Sequence, residues 1–347
     1  MKIKLGSKSW LIGLSVLVLV GFMLSLILFE RGEQNKVLTL VEPKYRKQVV
    51  SERIWIDAKL KNLLNLTSFL FQPVMVPRLD RDSNIYIFDY GDMKIKKFSK
   101  DGKFIMEIGK GRGKGPGEFV NPTDFIVDKY NNILVCDPVN GLLTKFDSTG
   151  KVIKTLRPKN NPYRLALKGN NLVIQFSYGE DLFGLYDLDG NFKFSFGKDI
   201  VPEQSKFPIL MAGEIDIEGN YLYCGFTYTG YICCFDLRNG STRYVVKTID
   251  DLPIPQVELF SVGKAQVIRI KPGTPILVKE LNVNQDKLFI ETGVFKDQTV
   301  IDVYSADNGN YLYSFKIPEK SKGGYFDGRY YYGVKDTSVS KWEVIFK

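Results

Sequence analysis

Six polar residues, Arg78, Asp124, Arg164, Glu214, Glu280 and Tyr325, stand at the starts of apolar segments in successive copies of one sequence plan. If those segments converge, the six make a ring of mixed sign. Arg78 and Arg164 would then suit a carboxylate, sulfate or phosphate, because guanidinium binds such groups in bidentate fashion. Asp124, Glu214 and Glu280 would suit a cation, calcium included, or a polar ligand. The alternative is that the charges neutralise one another around a water-filled channel, and it is favoured, since structural ion-pair networks imitate sites.

The chain has no histidine. A Ser-His-Asp triad, an imidazole base and a histidine-bound zinc or iron are therefore excluded within this polypeptide. What survives for catalysis is carboxylate, lysine, tyrosine or cysteine chemistry. Four cysteines occur, Cys136, Cys224, Cys233 and Cys234. A hairpin turning about Tyr228-Thr229 would set Cys224 directly opposite Cys233. Opposed Cβ atoms lie about 4.5–5.5 Å apart, wide for a relaxed disulfide. A strained disulfide, a redox pair and two buried free thiols all fit, and buried thiols are the favoured reading.

The plan that would position these residues is an apolar strand, a short polar turn, a second strand, a Gly turn and a third strand. Asn84-Ile85-Tyr86-Ile87-Phe88-Asp89 with Asp101-Gly102, and Asn132-Ile133-Leu134-Val135-Cys136-Asp137 with Thr149-Gly150, are its clearest copies. The turn glycines fall at 102, 150, 190, 240 and 309, in steps of 48, 40, 50 and 69 residues. A module returning at that period stacks on itself. Asp-Gly and Asn-Gly suit two-residue hairpins. The sixth copy is incomplete, so an N-terminal segment, Ser51 to Asp57, is expected to close it and protect its edge. The fold class is thus all-β, a six-bladed β-propeller over residues 51–347, with residues 58–73 as a short helix or irregular cover.

Ile108-Gly109-Lys110-Gly111-Arg112-Gly113-Lys114-Gly115-Pro116-Gly117-Glu118-Phe119, followed by Asn121-Pro122 and Phe125-Ile126-Val127-Asp128, resembles the blade connection of NHL-repeat proteins. The Gly-Pro-Gly-Glu-Phe run is similar to that of bacterial six-bladed propellers related to the NHL group. The resemblance is strongest over residues 84–156. It implies fold more than activity, because the architecture serves binding modules, sensor ectodomains and a few enzymes.

Lys2, Lys4 and Lys8 precede an uncharged run, Leu11 to Phe29. At about 1.5 Å per residue that run matches a bilayer core of about 30 Å. It is expected to be an uncleaved membrane-spanning helix over 11–29, with residues 1–10 cytoplasmic and 30–50 a tether. The propeller would then be periplasmic or extracellular. Net charge is +9, and +6 without those three lysines. Lys110, Arg112 and Lys114 could meet an anionic glycan or headgroup, while export argues against nucleic acid. The 69-residue step holds an insertion at about 250–280, with Pro253, Pro255, Pro272 and Pro275, in which Val257 to Phe260 and Gln266 to Ile270 suit a hairpin and a partner contact.

These residues point to a membrane-anchored propeller that binds a protein or a small anionic or polar ligand without catalysis and without a required cofactor. Two alternatives stand beside it. One is a calcium-dependent, lactonase-like hydrolase using Asp124, Glu214 and Glu280; the other is a structural subunit of an envelope complex.

Overall fold

Gly102, Gly150, Gly190, Gly240 and Gly309 all adopt positive φ, between 71° and 83°, in the computed structural model, which describes residues 43–200, 208–262 and 265–346. The turns they make differ from the two-residue form expected. Gly102 N–H donates to Ser99 O, and Ser99 N–H donates to Lys103 O. Asp101 is absent from the positive-φ residues, and a type I′ turn needs two of them. The loop is instead a type I turn closed by a glycine bulge, and the strand register slips beside it in five blades.

Six four-stranded antiparallel sheets result. Their inner strands are Arg78–Leu79, Asp124–Val127, Pro162–Lys168, Gly213–Glu218, Glu280–Asn284 and Gly323–Phe326. The core is six clusters, each shared by two consecutive blades. Tyr86, Phe88 and Ile95 of blade 1 pack on Phe125, Ile133 and Val135 of blade 2. Ile85 and Ile87 pack on Tyr332 and Val334 of blade 6, which closes the ring. All-buried second strands such as Ile85–Asp89 explain why the chain alternates poorly there, since both faces meet a neighbouring blade.

Blade 6 is completed by an N-terminal strand, as expected, but by a different one. Ala58–Leu66 pairs antiparallel with Val339–Phe346, so residues 58–66 are strand rather than helix or cover. A bulge between Asn62 and Leu64 breaks the alternation and leaves Leu63 outside while Leu66 is buried. Burying one such leucine stabilises by about 1.5–3 kcal/mol. Ser51 to Asp57 belongs instead to a strap, residues 43–57, along the outer strands of blades 4 and 5. Arg46 bridges Val246 and Trp55 bridges Ser314, both parallel.

Within the insertion, Val257–Val262 and Ala265–Ile270 form the expected hairpin as a separate two-stranded sheet. Among the described residues no helix is long and apolar enough to cross a membrane. The run Leu11 to Phe29 lies outside the described residues.

Cys224 and Cys233 are opposed across the second and third strands of blade 4. All four cysteines are free and buried, and burial pushes the Cys234 thiol up to about 12. Native protein is therefore expected to resist alkylation at all four thiols, with four adducts appearing only on unfolding; mass spectrometry after iodoacetamide checks it, and rapid labelling of any one would contradict this packing.

Candidate functional site

The innermost strand of each blade is a sheet edge, so its outward N–H groups need partners. Side chains of the preceding blade supply them. Asp124 Oδ2 accepts from Leu165 N at 2.9 Å, Asp216 Oδ2 from Val283 N at 2.9 Å, and Asn282 Oδ1 from Phe326 N at 3.1 Å. These acids and amide knit the ring of inner strands together around the axis.

Counted from the hairpin that ends each inner strand, the six expected residues form two layers rather than one. Asp124, Arg164, Glu214 and Glu280 share a level with Val76 and Gly323. Arg78 and Tyr325 stand two residues nearer the hairpin, level with Asp216 and Asn282. The guanidinium of Arg78 spans the step, donating to Asp124 Oδ1 at 2.9 Å and to Phe125 O at 3.0 Å. Burial alone would lower its affinity for the proton, but the Asp124 carboxylate outweighs that and raises it.

In the first layer Arg164 holds Glu214 through Nη2 at 2.7 Å and Nε at 3.0 Å, donates to Thr123 O, and stacks 4.5 Å over the Tyr163 ring. Glu280 is different. It makes no hydrogen bond or ion pair among the described residues, and it lies where a Cβ on Gly323 would fall 2.6 Å from its Oε1. Burial first, and then Glu214, push its carboxyl well above the usual range; burial does the same to Glu214 against the pull of Arg164.

Beside Glu280 is a knot that sequence reasoning missed. Glu291 Oε1 accepts from Lys279 Nζ and from Ser321 Oγ, each at 2.7 Å, and Oε2 accepts from Tyr331 OH at 2.8 Å. Its members come from separate blades and have no shared spacing. Their hydrogen bonds are spent on one another, and the hydroxyl of Ser321 points its proton at a carboxylate rather than into solvent.

The three carboxylates proposed for calcium share a layer but are not gathered as ligands. Asp124 is occupied by Arg78 and two backbone N–H groups, Glu214 by Arg164, and among the described residues no cluster of three or more Asp, Glu or Cys could hold a metal.

The second layer opens into a vestibule of about 300 Å³, lined by Arg78, Leu79, Lys168, Asp216, Val283 and Tyr325 among others. Three donors there make no hydrogen bond among the described residues: Arg78 Nη1, the exposed Lys168 and the hydroxyl of Tyr325. The one carboxylate beside them, Asp216, has both oxygens on backbone N–H groups. Lys168 ends its strand, just before the positive-φ Gly169, at the opposite end from the segment starts that mark the other ring residues.

The Gly-rich connection is a folded knot. Gly115 N–H donates to Glu118 Oε2 at 2.8 Å, and a Cβ on Gly113 would meet that same oxygen, so glycine there leaves room for the Glu118 carboxylate in this position. Phe119 is buried in the first interblade cluster, while Lys110, Arg112 and Lys114 lie along the outside of the knot, with Lys110 and Arg112 flanking the positive-φ Gly111.

Comparison with known proteins agrees with this architecture. Residues 76–176 match a family model described as a 6-bladed beta-propeller. No curated protein matches the sequence. Among solved structures, a protein of Bacteroides fragilis provisionally named as exported superposes with a TM-score of 0.53 at 13% identity, over 87% of this chain and 98% of its own. Virginiamycin B lyase from Staphylococcus aureus gives 0.54 at 14%, over 83% and 100%. A member of the duf4221 family from Bacteroides vulgatus gives 0.53 at 12%, over 84% and 98%. At such identities the likeness is one of fold.

Proposed function

We propose that this six-bladed propeller, held at a membrane by residues 11–29 and facing out of the cytoplasm, binds a small anionic ligand in its axial vestibule without performing chemistry on it. The observation that carries the reading is that Arg78, Lys168 and Tyr325 line one cavity of about 300 Å³ while Arg78 Nη1, the Lys168 ammonium and the Tyr325 hydroxyl make no hydrogen bond among the described residues. Such a constellation suits a carboxylate, sulfate or phosphate. The lysines ahead of the apolar run favour a cytoplasmic N-terminus, and the exported name of the Bacteroides fragilis protein is consistent with that side. Against catalysis stand the absent histidine and the engagement of Lys279, Ser321 and Tyr331, beside Glu280, with the Glu291 carboxylate.

Calorimetric titration of the detergent-solubilised full chain with inorganic phosphate, sulfate and small carboxylates tests this. One-site saturable binding of at least one anion is expected, weakened about tenfold or more in Lys168→Met, equivalent to about 1.4 kcal/mol. The Lys168 side chain makes no hydrogen bond or ion pair among the described residues, so stability is expected to change little. No saturable binding, or equal affinity in Lys168→Met, would sink the reading.

A further inference from the structure

The strap of residues 43–57 turns two polar side chains, Gln48 and Arg53, inward and leaves four apolar ones exposed among its exposed polar residues. Gln48 donates to Lys247 O at 2.7 Å and Gly309 O at 3.0 Å, and accepts from Tyr311 N at 2.8 Å. Arg53 reaches inward to Asp250 and Asp302. Between and beyond them Val49 is 93% exposed, Val50 37%, Ile54 52% and Trp55 46%. Four apolar side chains within seven residues form an exposed patch, and such patches mark contact surfaces. The exposed Ser51 and Glu52 lie between its two apolar pairs, and basic groups rim it. Lys44 is exposed, and Lys316 Nζ lies 4.7 Å over the Trp55 ring, while Lys47 pairs with Asp251 at 2.6 Å.

Chain length selects what covers the patch. Thirteen residues separate Phe29 from Pro43, which reach at most about 45 Å fully extended and about 20 Å as a flexible coil. If residues 11–29 span a membrane, the strap begins within that distance of the same membrane. Tryptophan favours the headgroup level, and apolar residues flanked by lysine favour an anionic lipid surface.

We propose that the outer face of the strap, Val49, Val50, Ile54 and Trp55, enters the interfacial layer of the membrane that carries residues 11–29, with Lys44 and Lys316 meeting anionic headgroups. The proposal rests on the anchored reading of the N-terminal run. It makes the rim of blades 4 and 5 a membrane-facing rim and holds the propeller in one orientation rather than letting it swing.

The test uses the full chain in nanodiscs of mixed zwitterionic and anionic lipid, with an environment-sensitive fluorophore on Val49→Cys. The native thiols are buried, so labelling is directed to the new one. Tyr130→Cys, at a residue 64% exposed on blade 2, serves as reference. The Val49 probe is expected to emit to the blue of the Tyr130 probe and to be quenched severalfold more by brominated lipid. Equal, aqueous emission from both probes in chain that co-purifies with the nanodiscs overturns this proposal alone. Failure to co-purify overturns the anchored reading and the proposal with it. A blue-shifted Val49 probe that brominated lipid does not quench would place a second copy or another protein on the patch, and also overturns it.

Discussion

Arg53→Met is expected to lower the free energy of unfolding by about 3–5 kcal/mol at neutral pH, the range seen when one partner of a buried ion pair is removed. Arg53 bonds both oxygens of Asp302, at 2.9 and 2.8 Å, and Asp250 Oδ1 at 2.8 Å. The Asp302 side chain is 1% exposed and that of Asp250 13%. Methionine keeps much of the volume and removes the charge, which leaves Asp302 with Ser314 Oγ at 2.5 Å as its only side-chain donor among the described residues. Burial already holds the Asp302 carboxyl above the ordinary range, with Arg53 opposing. Without Arg53 it rises further. Native variant then binds a proton that unfolded chain does not, between the raised value and an ordinary aspartate value of about 3.9. Stability of the variant therefore increases as pH falls through that window, and its deficit is largest at neutral pH and narrower near pH 4.5. Urea unfolding at both pH values checks this. A deficit under about 1 kcal/mol at pH 7, or one that widens on acidification, would show that Asp302 is not the buried charge it is taken to be.

The architecture was legible because each blade repeats its instructions locally. Gly102 and its four counterparts mark turns that only a residue tolerant of positive φ can close, and the Cys224–Cys233 opposition follows from counting outward from one hairpin. Closure was legible as a need and not as an address. The bulge at Asn62 to Leu64 disrupts the period-two pattern of the true closing strand, while Ser51 to Asp57 has the composition of a strand but turns Arg53 inward to Asp250 and Asp302 and leaves Ile54 and Trp55 exposed. The channel was half legible for a similar reason. Aligning segment starts places Arg78 beside Asp124, but the loops before the inner strands differ in length, so the hairpins give the true levels. Partnership was the illegible part. That Asp124 and Asp216 serve the backbone of the next blade, and that Glu280 and Lys168 serve nothing within the described residues, depends on side-chain directions that no spacing encodes.

Glu280→Gln is expected to stabilise the protein at neutral pH by on the order of 1 kcal/mol, because the half-buried Glu280 carboxylate has no partner among the described residues and the amide carries no charge to desolvate. Glu280 faces Glu291 across the first two strands of blade 5, and Glu291 is committed to Lys279, Ser321 and Tyr331. Glu214, the other near carboxylate, is held by Arg164. Burial and these two acids raise the Glu280 carboxyl, so the wild-type native state takes up a proton that the unfolded chain releases at an ordinary glutamate value of about 4.3. The wild-type penalty is complete above the raised value and shrinks as pH falls through the window below it. The advantage of the Glu280→Gln variant should shrink in step and vanish near pH 4. Thermal unfolding of both proteins from pH 4 to pH 8, in chelator, measures the gap. A gap of the opposite sign without chelator would mean that a cation bridges Glu280 and Glu214, returning the acidic face of the channel to the calcium reading. A stabilised variant leaves an unpaired carboxylate kept at a cost above a vestibule of unengaged cationic donors, which is how a site differs from a self-neutralising channel.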